Sequence, residues 1–276
     1  MEFVDQALAR RLEAAEEAPQ MMYARLYEEQ HPEIGAAVEP ICGGHMIFAG
    51  LGSPVGRATG LGFDGPVFPA DLDRVEEFYR SHRAPAQVDI CPLTDAGLLE
   101  LLKDRGYSFT EFNNVLYRRL TREDISDGES AQAHVRPAAA GEAEKFAAVI
   151  ERCFFPEGGG PPDLAGMFVP MFQMDGTLPF VAEIEGQPAA CGSALLIPQH
   201  GVVALCGAGT LPQFRRRGLQ TALIRARMAA AFQAGAEYAV IVTRGGTASQ
   251  RNAERAGLRL AYSKATLVKE FQSAAS

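Results

Sequence analysis

Apolar residues return every three or four positions along several stretches of the chain and run in alternating or unbroken blocks along others, and this contrast predicts most of its elements. In "AGEAEKFAAVIERCF" the residues Ala143, Phe146, Ala147, Ile150 and Phe154 recur at helical spacing. A helix is expected over about 216–234, closed by Gly235, a residue suited to the position just past a helix end. "SQRNAERAG" predicts another, with Ser249 as its N-cap and Gly257 as its stop, and a further helix is expected at 162–172. Between these lie strand patterns. "LPFVAEIEGQPAACGSALLIPQHGVVALCGAGTL" reads as three strands joined by turns at Glu185-Gly186 and at Gln199, His200 and Gly201, an antiparallel meander. "EYAVIVTR" is an apolar, β-branched run suited to a buried strand, a short strand is expected at 133–137, and two more fill about 258–271. The resulting order is β, α, α, three strands, α, β, α, two strands: an α/β (α+β) domain on a mixed sheet.

The first half follows a similar plan. Setting Gly106 against Gly257 aligns "GYSFTEFNNVLYRRL" with "GLRLAYSKATLVKEF" without a gap. Upstream, "PADLDRVEEFYRSH" and then "AQVDICP" repeat the helix-then-strand order of 216–243. The fold is therefore expected to be duplicated. A polar, turn-rich linker at 122–133 separates residues 1–121 from 134–276.

Composition narrows the function classes. With 47% hydrophobic and 22% charged residues in 276, the chain has the makeup of a globular protein rather than a disordered one. Its five scattered cysteines contain no C-x-x-C pair, so neither a disulfide framework nor a metal site is expected, and a reducing cytoplasm fits best. No apolar run is long enough for a membrane span, and the acidic N-terminal stretch is unlike a signal peptide. A net charge of -8 argues against nucleic acid as a partner.

Against that acidic balance, "QFRRRGLQTAL" at 213–223 gathers three arginines where a helix begins. A helix start leaves its first amides unpaired and carries about half a positive charge, so phosphate groups are held there by several donors at once. Arg215, Arg216 and Arg217 strengthen that attraction, and Gly218 leaves room for a diphosphate to approach the backbone. The chain contains neither G-x-x-x-x-G-K-[ST] nor G-x-G-x-x-G, which disfavours a nucleoside triphosphate or dinucleotide site.

Here the chain resembles the GNAT superfamily of acyl-CoA N-acyltransferases. Their R/Q-x-x-G-x-G/A signature is matched by Arg215, Arg216, Arg217, Gly218, Leu219 and Gln220, with Gln220 in place of the last small residue. A second coenzyme A segment is matched by "SQRNAERAGLRLAY", with Asn252 ahead of Gly257. The resemblance covers about 134–271 and implies tandem GNAT-like domains, each a mixed, mainly antiparallel sheet flanked by helices, with 134–276 catalytic. It also implies N-acetyl transfer from acetyl-CoA to a primary amine, in a small molecule or a protein, by direct attack in a ternary complex. By resemblance, the amides of Ala208, Gly209 and Thr210 contact the pantetheine, in a strand whose Gly207 and Gly209 permit a bulge. Those of Arg216, Arg217, Gly218, Leu219, Gln220 and Thr221 contact the pyrophosphate.

Direct attack needs a base and an acid. The family's tyrosine position is filled by Ala253, and Tyr262 is poorly placed to replace it. Glu183, on a strand near the expected cleft, is the residue proposed as base; Cys206 and His200 have simpler readings as a buried apolar thiol and a solvated turn residue. The loop at 155–168 falls where the family binds the acceptor. The first half has "GLGFDGPVFPADLDRVEEF" where a cradle belongs, with Asp71 and Asp73 repelling phosphate, and is expected to be a degenerate copy that packs on the catalytic half. A monomer or homodimer is expected. The alternative is a non-catalytic acyl-CoA sensor or partner-binding protein.

Overall fold

The computed structural model describes residues 3–53, 55–125, 133–157, 169, 171–172 and 174–271. In chain order the helices are α1 (Gln6–Gln30), α2 (Pro69–Ser81), α3 (Leu98–Asp104), α4 (Ala143–Phe154), α5 (Leu219–Gln233) and α6 (Ala248–Arg255). The strands are β1 (Ala37–Ile41), β2 (Gly44–Phe48), β3 (Ala58–Thr59), β4 (Ala86–Ile90), β5 (Ser108–Arg119), β6 (His134–Pro137), β7 (Thr177–Ile184), β8 (Gln187–Ile197), β9 (Val202–Thr210), β10 (Tyr238–Arg244) and β11 (Arg259–Lys269).

Two compact units result. One holds residues 1–115, 242–245 and 260–276; the other holds 116–241 and 246–259. The C-terminal strand β11 thus lies almost wholly in the first unit, whereas a division at 122–133 assigns it to the second. Of that expected linker, residues 126–132 lie outside the described residues, and Arg122–Ile125 form a short 3-10 turn.

In the first unit the strands run in the order β1-β2-β3-β4-β11-β5, with β11 antiparallel to β4 from Ala265 opposite Ile90 to Lys269 opposite Ala86. The helix α1 starts at Asp5, whose carboxylate accepts from the Leu8 amide at 2.9 Å. Met46, Phe48, Leu72, Val75, Tyr79 and Leu102 form the apolar core, and Leu267 of β11 packs into it. Beside it lies a buried polar cluster. The Lys264 ammonium meets Glu13 at 3.5 Å, Asp89 at 3.3 Å and also Glu16, while the Tyr262 hydroxyl donates to Glu13 at 2.8 Å. Such charges are stable in a core only when paired, as these are.

In the second unit the order is β5-β10-β9-β8-β7-β6, with β6 through β9 antiparallel and β10 parallel to β9. The expected meander is present. Its first turn places Glu185 at φ 51° and Gly186 at φ 74°, the pair of left-handed residues that a tight hairpin requires. The helix α5 buries Leu219, Leu223, Ile224 and Met228, while α4 brings Phe146 and Ile150 to Val181 and Cys191.

Two expectations change, and a third falls largely outside the described residues. The two last strands are one, because "LRLAYSKATLVK" contains no glycine, proline or asparagine to break it. The helix α6 is capped by Thr247, whose hydroxyl accepts from the Gln250 amide at 3.3 Å, and Ser249 lies inside the helix. Of the helix expected at 162–172, residues 162–168 and 170 lie outside the described residues. No described helix is long and apolar enough to cross a membrane.

Candidate functional site

The strand β9 stays paired with β10 only at its beginning, Val202 to Ala204 opposite Tyr238 to Val240. Its other edge remains paired with β8 to the end, where Thr210 stands opposite Ala190. That pairing contains a bulge. Cys191 faces Gly209 and Ser193 faces Cys206, so the single residue Gly192 opposes both Gly207 and Ala208. Gly207 takes φ 51°, a left-handed conformation that explains a glycine there.

Past β9 the chain turns at Pro212–Phe214 and enters α5 through Gly218, at φ 75°. No side chain caps this helix, which leaves its first amides without the usual local acceptor. Arg215 is braced from two sides, donating to the Thr210 and Cys153 carbonyls at 3.3 Å each. The Arg217 guanidinium lies 5.6 Å from the centre of the Phe214 ring, close enough for a cation–π contact. Gln220 turns inward: its Nε2 donates to the Gly209 carbonyl at 2.8 Å and to the Thr210 hydroxyl at 3.0 Å.

These segments enclose a cavity of about 780 Å³. Ala208, Gly209 and Thr210 line it from the bulged strand, Arg215, Arg216, Arg217, Gly218, Leu219, Gln220 and Thr221 from the helix start, and Asn252 from α6. The sequence reasoning missed Arg227, Arg251 and Arg255, which also line it. Arg251 and Arg255 are four apart on one helix and so share a face, a signal present in the sequence. Arg227 gives none, since a lone arginine in a helix usually points to solvent. Six arginines therefore line the cavity, and among the described residues no Asp or Glu does. In a chain of net charge -8 this concentrates a positive field on one hollow.

Glu183 is elsewhere. It lies on β7 opposite His134 of β6, and its carboxylate accepts from Arg136 at 2.6 Å while Arg136 also meets Glu142 at 2.8 Å. It does not line the cavity and is one member of an ion-paired cluster. Arg136, with the amide of Ala139, holds the Glu142 carboxyl down near 2. Tyr262 belongs to the first unit, where burial, followed by the nearby Glu13 charge, drives its phenol far above the ordinary range. Ala253 is fully buried and carries no proton to give. Burial lifts the Cys206 thiol to about 11 and the Cys153 thiol to about 11, so neither is an available thiolate at neutral pH. His200 stands in the turn before β9, outside the cavity lining. Residues 158–168 of the expected acceptor loop lie outside the described residues. Among the described residues no group of three or more His, Cys, Asp or Glu side chains is arranged to hold a metal ion.

Residues 145–258 match the family model described as the acetyltransferase (GNAT) family. The chain is similar in structure to a GCN5-related N-acetyltransferase from Kribbella flavida, with a TM-score of 0.65 at 18% identity over 90% of this chain and 96% of that one. A functionally unknown conserved protein from Staphylococcus epidermidis gives 0.57 at 13% identity over 86% and 95%. A tandem GNAT protein from the clavulanic acid biosynthesis pathway gives 0.58 at 13% identity over 83% and 80%. No curated protein matches by sequence. At these identities the likeness gives the fold: mixed α/β, with GNAT-like units in tandem.

Proposed function

Because residues 145–258 form an acetyltransferase domain of the GNAT family, which uses acetyl-CoA as acyl donor, we propose that this chain acetylates a primary amine by direct attack in a ternary complex. The acceptor is a small molecule or a protein amine, and the second unit carries the chemistry. The observation that carries the reading is the cavity itself. Its lining joins a bulged strand end, an uncapped helix start and six arginines without an acid.

The diphosphate of the donor lies against Arg215, Arg216 and Arg217 and the first amides of α5, where donors and helix field act together. Gly218 keeps that approach open. The pantetheine follows β9 past Thr210 and Gly209 to the bulge, whose amides polarise the thioester carbonyl. The amine nitrogen attacks that carbon, the carbon–sulfur bond breaks, the thiolate gains a proton and the amine nitrogen loses one. Among the described residues no Asp, Glu, His or Tyr side chain lines the cavity, which supports proton exchange through water.

A second reading keeps the cradle without the chemistry. Ala253 at the family's tyrosine position favours a non-catalytic acyl-CoA sensor. Release of free thiol from acetyl-CoA across a panel of amines separates the two, since a sensor gives none. Both readings require that coenzyme A, and not ATP, raise the Tm, and that Arg215→Ala and Gly218→Glu abolish the rise. A rise with ATP and none with coenzyme A overturns both.

A further inference from the structure

Arg227 is the largest side chain wholly buried, and among the described residues it forms no ion pair with a carboxylate. Its partners are three backbone carbonyls. Nε donates to Leu223 of its own helix at 3.0 Å, and Nη1 donates to Ser193 at 2.6 Å and to Cys206 at 3.3 Å. Nη2 has no partner in the structure. A buried cation held only by neutral groups is costly, and an unpaired buried donor adds to the cost. Where such a group persists, a local role accounts for it.

The location supplies the role. Ser193 and Cys206 stand opposite each other as the last register pair before the bulge of Gly207 and Ala208, and Arg227 bonds both of their carbonyls. Gly192, the one residue facing the bulge, is shaped to the guanidinium: a Cβ there would lie 2.8 Å from the Arg227 Cζ. Burial pulls the guanidinium down, to about 10, so it remains a cation at neutral pH. The two thiols that act on its charge, Cys206 and Cys191, are both held protonated by burial and do not neutralise it.

We propose that Arg227 is a positioning residue for acyl transfer: it clamps the carbonyls beside the β9 bulge and sets a buried positive charge behind the amides that face the thioester carbonyl. The inference rests on the proposed acyl-CoA reading of the cavity. Its consequence is that charge developing on the carbonyl oxygen is stabilised by amides whose direction is fixed from behind and whose polarity is increased by a cation in a medium of low dielectric. Arg227 is itself wholly buried at the inner wall of the cavity, bonded to the strand carbonyls.

The test binds acetyl-CoA, isotope-labelled at the carbonyl carbon, to the wild type, Arg227→Met and Arg227→Lys. The carbonyl stretch is read by infrared difference spectroscopy and the affinity by calorimetry. In the wild type the stretch falls below that of the free donor. In Arg227→Met most of that fall is lost while the donor Kd stays within about threefold, and kcat drops by about 10²-fold with little change in KM. Arg227→Lys, which keeps the charge, recovers part of both. An Arg227→Met protein that binds donor with the wild-type carbonyl frequency overturns the inference. If Arg227→Met does not fold, Gly192→Ala displaces the guanidinium instead, and the wild-type frequency in that variant overturns it equally. A wild type that binds no acetyl-CoA removes the underlying reading, and this inference with it.

Discussion

The Gln220 side chain spans from the first turn of α5 to the end of β9, its Nε2 2.8 Å from the Gly209 carbonyl oxygen. The amide of this long side chain is bonded to the strand end at the cavity wall. With a further contact to the Cys191 carbonyl at 3.4 Å, it binds the helix start to two strands at once. Gln220→Ala removes these bonds and is expected to destabilise the protein by about 1–2 kcal/mol. Urea unfolding with and without coenzyme A tests this. An affinity for coenzyme A equal to that of the wild type would show that the tie plays no part in shaping the cradle.

Gly218 has φ 75° with no atom within 4 Å of where a Cβ would stand. Gly218→Ala therefore costs backbone strain alone, about 1 kcal/mol. Gly218→Glu adds a carboxylate among six arginines and should leave stability close to that of Gly218→Ala while coenzyme A affinity falls by at least about tenfold. Paired calorimetric titrations of the two variants make the comparison, and equal affinities would dismiss the electrostatic part of the cradle.

Gly209 is closed to any side chain. A Cβ there would lie 2.5 Å from the Cys153 Cβ and 2.7 Å from its sulfur. Gly209→Ala is expected to cost about 1–3 kcal/mol by overpacking. Cys153→Ala in the same background recovers little, because its Cβ remains in place. Full recovery in thermal melts would contradict the packing described.

Lys264 neutralises three carboxylates in the first unit, and Lys264→Met leaves Glu13, Glu16 and Asp89 together in the core. A loss of about 3–5 kcal/mol is expected, measured by urea unfolding. A loss under about 1 kcal/mol would mean that the cluster is solvated.

Burial, opposed by Lys264 and assisted by Glu13 and Asp89, lifts the Glu16 carboxyl from 4.5 to about 7. The folded state then holds the proton more tightly than the unfolded chain does. The stability from this group is complete below 4.5 and is lost as pH rises through about 7. Between about pH 5 and pH 7.5 the unfolding free energy should fall by on the order of 2 kcal/mol on this account, and Glu16→Gln should flatten that slope. An unchanged slope in the variant would assign the effect to another group.

The arginine-lined wall of the cavity was legible in the sequence because its residues are local. Three arginines, a glycine and a helix start lie in consecutive positions, and the meander before them is punctuated by turn residues. Arg227 and Lys264 were not, because their meaning depends on partners 34 and 248 positions away. The surroundings of Glu183 were hidden for the same reason: periodicity puts it on a strand, but only the register of β6 against β7 reveals Arg136 beside it. The final strand was misjudged as two because the alternation of β11 is the same whether it forms a hairpin or one long strand buried between β4 and β5.

The placement of β11 also bears on biosynthesis. In chain order residues 1–115 come first, yet that unit lacks the strand between β4 and β5 until residues 260–269 follow the whole of the second unit. The unit begun first is therefore completed only after the other has been made. A nascent or clipped chain ending before Leu260 leaves Asp89 without its bond from Thr266 and exposes two strand edges, a form open to aggregation and quality control.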